Sequence, residues 1–156
     1  MPSNWLNVPH YKQEFHYSCA AACVRMVLAY FSYAISEAEV RQLLNTQPHG
    51  TKARHLTAVG SLGFDVELVS GNLAQLRDLI AQGVPPIVFV DTAPLDYWTL
   101  DCAHVAVVVG IDDNVVYLND PFFDAARQQT SVANFLQAWA LNGHLTALMR
   151  PRPDTA

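Results

Sequence analysis

Apolar residues follow different patterns in the two halves of this chain. In the first half they recur every three or four positions, the spacing of a helix face buried against a core. The first such series predicts a helix over residues 19–31, with Ser18 as its N-cap. Its apolar positions are Ala20, Val24, Val27, Leu28 and Phe31. The preceding residues 5–17 lack this spacing and are predicted to be irregular or extended.

Three further helices are predicted from the residues at their ends. Ser36, with Glu39 three positions later, has the form of a capping box and begins the second helix. The third is predicted over residues 53–62 and stops at Gly63, because glycine adopts the left-handed conformation at a helix end with least strain. Asn72 is the predicted N-cap of the fourth helix.

The second half of the chain is rich in β-branched residues, which favour strands. Strands are predicted over residues 64–69, 87–90, 103–111, 115–118 and 145–149, and a last helix over residues 132–140. Asp112, Asp113 and Asn114 separate two of these strands and predict a tight antiparallel hairpin. Because the helices come mainly first and the strands mainly second, the predicted fold class is α+β.

Composition indicates one folded domain and argues against two classes of partner. The chain has 156 residues, 51% of them hydrophobic and 15% charged, which suits a single core over residues 1–150 with a flexible tail over residues 151–156. The net charge is −5 with scattered basic residues, so we expect no nucleic-acid partner. The longest apolar run, residues 105–111, is far shorter than the roughly 20 residues that span a bilayer, so we expect no membrane span.

The N-terminus and the cysteines favour a cytoplasmic location. Residues 1–9 lack the basic and apolar segments of a secretory signal. Cys19, Cys23 and Cys102 form an odd set without the spacing of a disulfide framework, which fits a reducing compartment.

Four residues, Gln13, Cys19, His104 and Asp120, carry side chains that would together form a thiol hydrolase site. Cys19 begins the first helix, where the helix dipole favours the nucleophilic thiolate. His104 opens a buried strand, and the predicted hairpin brings it beside Asp120, which would orient the imidazole as a general base. Gln13 could join the Cys19 backbone N–H as an oxyanion donor.

Each of these residues also has a simpler interpretation. Cys19 could be an inert buried cysteine, and Gln13 a surface residue. His104 and Asp120 could be a solvated histidine and a turn aspartate before proline. Cys23 and Cys102 are predicted to be structural. A zinc site on His16, Cys19 and Cys23 is not favoured, because no second ligand pair matches, and no metal or cofactor is expected.

These residues resemble those of the bacteriocin-processing peptidases, papain-like cysteine proteases that remove leader peptides after a double-glycine motif. The resemblance extends over about residues 8–149 in motif order and element order. The matching positions are Val8, Pro9, Gln13, Met26 and residues 19–22, 27–30, 104–108 and 119–121.

The resemblance implies a papain-like fold, in which a helical half packs on an antiparallel sheet and the active site lies in the cleft between them. It also implies Cys19 as nucleophile, His104 as base, Asp120 as orienting acid and Gln13 as oxyanion donor, with a peptide or protein as substrate. Relatives commonly have aspartate before the cysteine and glycine after it, whereas this chain has Ser18 and Ala20.

Many relatives are domains of peptide-exporting transporters. This sequence has no membrane segment and no nucleotide-binding loop, so it resembles the stand-alone members. Two other functions remain open. A papain-like fold can transfer an acyl group from a cysteine thioester to an amine or thiol, or it can bind a peptide without cutting it.

Overall fold

A computed structural model describes residues 5–153 of the chain. A six-stranded antiparallel sheet forms the centre of the protein, with strand order β1-β6-β2-β3-β4-β5. Its strands are β1 (Phe64–Ser70), β2 (Ile87–Asp91), β3 (Ala103–Ile111), β4 (Val115–Asn119), β5 (Gln128–Ser131) and β6 (Leu145–Pro151). The helices are α1 (Cys19–Tyr30), α2 (Glu37–Leu43), α3 (Leu73–Ala81) and α4 (Val132–Ala140). The predicted α+β class is confirmed.

Helix α1 and strand β3 pack together at the centre of the core. Both are buried along almost their whole length, because α1 is rich in alanine and valine and β3 is a nearly continuous run of valine. The Cys23 thiol on α1 donates a hydrogen bond to the carbonyl oxygen of Val105 on β3 at 3.4 Å. The prediction that Cys23 is a small core residue is confirmed.

The four predicted capping residues lie at the ends of their helices, and only the side chain of Ser18 behaves differently from the prediction. The Ser36 side chain accepts a hydrogen bond from Glu39 N at 3.1 Å, and Asn72 accepts one from Gln75 N at 2.8 Å. Gly63 has a left-handed φ of 92° at the end of its helix. Ser18 occupies the predicted N-cap position of α1, but its side chain makes no capping bond to that helix.

Two elements differ from the sequence expectation. Residues 53–62 form a 3₁₀ helix (Ala53–Leu62), not an α-helix. Strand β5 was not predicted, because Gln128–Ser131 is polar and only Thr130 in it is buried. It nevertheless pairs with β4 and forms an edge of the sheet.

The C-terminal strand extends beyond the predicted domain boundary. Pro151 pairs with Phe64 at the end of β6, and Arg152 donates to Gly63 O at 2.9 Å. The predicted tail therefore begins with residues that belong to the sheet or bind its edge, and residues 154–156 lie outside the described residues. No helix within residues 5–153 is long and apolar enough to cross a membrane.

Candidate active site

Cys19 is the first residue of α1 and is partly exposed. The helix begins there because the preceding segment turns back on itself: Ser18 N donates to Phe15 O at 3.1 Å, and Ser18 O then accepts the first helical bond from Ala22 N at 3.0 Å. The thiol therefore lies at the N-terminal end of the helix, beside the backbone N–H groups that have no partner within the helix. Cys19 is not sealed in the core, so a substrate can reach it.

His104 is the second residue of β3 and is 6% exposed. Its ring atom Nε2 lies 2.6 Å from Asp120 Oδ1. The β3–β4 hairpin produces this contact, since it pairs Val107 with Asn119 and Asp120 follows directly after β4. The Asp112 side chain accepts hydrogen bonds from Asn114 N at 2.9 Å and Val115 N at 2.7 Å, so the predicted turn closes the far end of the hairpin.

The protonation state of His104 follows from its two neighbours. Burial on its own lowers the pKa of the imidazole, but hydrogen bonds to Asp120 and Cys19 outweigh burial and raise the pKa to about 10. Because Nε2 is bonded to Asp120, the contact with Cys19 falls to Nδ1. The raised pKa keeps the imidazole protonated at neutral pH, beside the sulfur of Cys19.

Asp120 is fully buried and accepts three further hydrogen bonds. Tyr97 Oη donates to its Oδ2 at 2.8 Å, Trp98 Nε1 donates to Oδ2 at 2.9 Å, and Phe122 N donates to Oδ1 at 3.0 Å. Burial raises the pKa of Asp120, but the hydrogen bond and charge of His104, followed by the other donors, bring its pKa below the usual value. The carboxylate is therefore ionised and accepts a hydrogen bond from the Nε2–H group of His104, which keeps its proton.

Tyr97 and Trp98 contact the candidate site in a way that the sequence did not indicate. From sequence they were equally compatible with a substrate cleft or a plain surface loop, yet both donate to Asp120. The Trp98 ring also packs edge-on against His104, with 4.9 Å between ring centroids. The available signal was that tyrosine and tryptophan combine an apolar ring with a hydrogen-bond donor, which suits the cover of a buried carboxylate.

Gln13 lies on the loop that leads to α1, but its described contacts are with that loop and not with Cys19. Its Nε2 donates to Phe15 O at 2.7 Å, and its backbone N–H donates to Pro121 O at 2.7 Å. The first bond uses one of the two amide hydrogens and leaves the other for a ligand. The second bond joins the segment before the nucleophile to the segment after Asp120.

A cleft of about 170 Å³ contains both Cys19 and His104. Three small residues, Ala20, Gly50 and Ala103, line it together with His49, Thr51, Phe89, Val105 and Asn142. A larger groove of about 620 Å³, bordered by Arg25 and Ile35, contains neither of the two reactive residues. The chemistry therefore places the candidate site in the smaller cleft.

Cys102 lies outside the Cys19–His104–Asp120 group, and the sequence predicts no metal site. Cys102 is exposed and lies just before β3, where its backbone N–H donates to Thr92 Oγ1 at 3.0 Å. Within residues 5–153, no group of three or more histidine, cysteine or acidic side chains is arranged to hold a metal ion.

Comparison with known proteins identifies the family. The sequence profile of the Peptidase C39 family matches residues 7–153. The chain belongs to this family. The resemblance found in the sequence is thereby confirmed, although no curated protein matches the chain significantly.

Three solved structures share the fold of this C39 chain. The peptidase domain of Streptococcus ComA, a bifunctional ABC transporter of a quorum-sensing pathway, is 23% identical, with a TM-score of 0.77 over 94% of this chain and 100% of that domain. A Bacillus anthracis protein described as C39-like is 16% identical, with a TM-score of 0.79 over 99% and 100%. A double-glycine-motif protease from an AMS/PCAT transporter, solved with its leader peptide, is 20% identical, with a TM-score of 0.76 over 96% and 95%. The papain-like fold is therefore confirmed.

Proposed function

We propose that this C39 chain is a cysteine endopeptidase that uses Cys19 as nucleophile, His104 as acid and base, and Asp120 as the orienting carboxylate. The observation that carries the proposal is the 2.6 Å contact between His104 Nε2 and Asp120 Oδ1, on a ring that also interacts with Cys19 in an open cleft. A buried histidine has no structural need for both neighbours, whereas thiol catalysis needs both.

In the proposed reaction, the Cys19 thiolate attacks the peptide carbonyl carbon, and the carbonyl oxygen becomes an oxyanion. The Cys19 backbone N–H and the free amide hydrogen of Gln13 donate to that oxyanion. The imidazolium of His104 passes its Nδ1 proton to the leaving amine as the C–N bond breaks. A thioester remains on Cys19, and His104 then deprotonates the water that hydrolyses it.

We infer a substrate with small residues just before the cleaved bond. The cleft beside Cys19 holds about 170 Å³ and is lined by Ala20, Gly50 and Ala103, so large side chains do not fit there. A double-glycine leader, the substrate type of the related AMS/PCAT protease, matches this shape. Since the mechanism requires a reduced thiol, we extend the proposal to a cytoplasmic location.

The test is cleavage of a leader peptide with a double-glycine site, with matched cysteine variants. Cys19→Ala should reduce cleavage to background, while Cys102→Ser should cleave like the wild type. Iodoacetamide labels exposed thiols in general, so alkylation at Cys19 is measured by peptide mapping in the Cys102→Ser background. Cleavage that persists in Cys19→Ala would contradict the assignment.

The same assay separates the two other functions. Peptide that binds the wild type but stays intact would indicate a silent binding protein. A thioester on Cys19 that is released faster by an added amine than by water would indicate an acyltransferase. For a peptidase, we expect the peptide to be cut and the thioester to be hydrolysed by water, with no acceleration by an added amine.

A further inference from the structure

The described chain buries two carboxylates, and only one of them belongs to the proposed triad. Asp120 is bonded to His104, whereas Glu37 lies in the first turn of α2 and is 1% exposed. A buried carboxylate is costly unless hydrogen bonds compensate it, so its position needs an explanation. The partners of Glu37 supply one.

Glu37 holds the segment that ends at the nucleophile. Its Oε1 accepts hydrogen bonds from Glu14 N at 2.9 Å and from Ser18 Oγ at 3.1 Å. Its Oε2 accepts from Arg41 Nε at 2.8 Å, one turn along α2. One oxygen of the carboxylate therefore faces residues 14–18, and the other is fixed to its own helix.

The same segment is also closed on itself. The one hydroxyl hydrogen of Ser18 is shared between Glu37 Oε1 and Phe15 O, which lies 2.9 Å from Oγ, and Oγ accepts from Phe15 N at 3.0 Å. Gln13 Nε2 donates to the same Phe15 carbonyl at 2.7 Å. Both proposed oxyanion donors, the Gln13 amide and the Cys19 backbone N–H, thus lie at the two ends of a loop that Glu37 ties to α2.

We propose that Glu37 is a positioning residue, which sets the geometry of the oxyanion donors through the backbone of residues 14–18. This inference rests on the proposed function. Donors stabilise an oxyanion only when they lie at hydrogen-bond distance from its position. A small shift of the loop therefore reduces the stabilisation of the transition state but leaves the reactivity of the Cys19 thiol unchanged.

The experiment compares Glu37→Leu and Glu37→Gln with Ser36→Ala. Leucine has no acceptor for Glu14 N–H or the Ser18 hydroxyl, so we expect kcat to fall by roughly 10²-fold with little change in KM. Glutamine keeps one acceptor toward the loop and should show an intermediate kcat. Ser36→Ala removes the cap of the same helix without touching residues 14–18, so it should lower stability and leave kcat unchanged.

Two readouts separate positioning from general damage. Alkylation of Cys19 by iodoacetamide forms no oxyanion, so its rate and pH profile should be the same in wild type and both Glu37 variants. In a Gln13→Ala background, Glu37→Leu should lower kcat much less than in the wild type, since the two changes act on one group of donors. Parallel losses of kcat, alkylation and melting temperature would overturn the proposal, as would full additivity.

Failure of the proposed function has a different result. If the wild type cleaves no peptide, the burst of acylation by a p-nitrophenyl ester still reports the oxyanion donors, and Glu37→Leu should slow that burst. An equal burst in wild type and Glu37→Leu overturns the Glu37 proposal alone. A wild type that is not acylated at all overturns both proposals.

Discussion

Asp120 accepts four hydrogen bonds, and its charge accounts for much of the chemistry expected of His104. Three of the donors hold the carboxylate and the fourth is the imidazole itself. Burial lowers the pKa of His104, while hydrogen bonds and charge interactions with Asp120 and Cys19 raise it. Removing the charge should therefore change the pH at which His104 can donate a proton.

Asp120→Asn tests this dependence. In the pH profile of the wild type, kcat/KM should fall at high pH, near pH 10, because His104 loses its proton there. In Asp120→Asn the high-pH limb should move to lower pH, because the pKa of His104 falls when the carboxylate is absent. The maximal kcat should drop on the order of 10²-fold.

Tyr97→Phe is the matched control for that variant. It removes one donor to Oδ2 and leaves the Oδ1 contact with His104 intact. Its high-pH limb should stay near that of the wild type. A limb that does not move in Asp120→Asn would contradict the proposed orienting role.

Single elements show what the sequence can and cannot predict. Strand β3 and helix α4 have the predicted bounds, because each contains a strong apolar pattern, with Asp112 directly after β3 and Ser131 directly before α4. Strand β5 has no such pattern, since its pairing with β4 and not its own burial stabilises it. The side chain of Ser18 was misassigned because a serine before a helix usually caps it, whereas here a distant glutamate binds it.

The same limit applies to the candidate site. Cys19 could be predicted as a candidate because it begins a helix, and His104 and Asp120 as neighbours because a hairpin joins them. The long-range packing of α1 on β3, which brings Cys19 to His104, is not a local feature. Trp98 and Glu37 could not, because their partners depend on how the loops pack in three dimensions. Glu37 looked in the sequence like an ordinary acidic residue of a helix start.

Helix α3 provides an element-level prediction that is independent of the site. Asn72→Ala removes the acceptor for Gln75 N and should lower the free energy of unfolding by about 1 kcal/mol. Asn72→Asp keeps an acceptor at the helix N-terminus and should retain the stability of the wild type. Urea unfolding measures both variants, and kcat should be equal in all three proteins.

Across the whole molecule, the His104–Asp120 pair links stability to pH. The folded-state pKa of His104 lies above its unfolded value, so its contribution is complete below about pH 6.5 and is lost as the pH rises toward 10. The folded-state pKa of Asp120 is lowered, so its contribution is present above its usual pKa and is lost as the pH falls. The two contributions arise from the same His104–Asp120 interaction, so they are not added together.

Urea unfolding of wild type and Asp120→Asn across this range checks that link. The difference in unfolding free energy between the two proteins should be largest between about pH 4 and 6.5 and should shrink on both sides. Other carboxylates, such as Asp96, affect both proteins alike and cancel in the difference. A difference that is constant with pH would show that the pair is not charged in the folded protein.

The proposed nucleophile, Cys19, lies on the first helix, whereas the proposed base and its carboxylate, His104 and Asp120, lie on or directly after a hairpin much later in the chain. During synthesis on the ribosome, the N-terminal part therefore carries a thiol without the imidazole that activates it. If the proposed function is correct, a nascent or unfolded copy therefore lacks the proteolytic centre. Activity in a lysate would thus count completed, folded molecules, which makes peptide cleavage a direct measure of how much of this protein has matured.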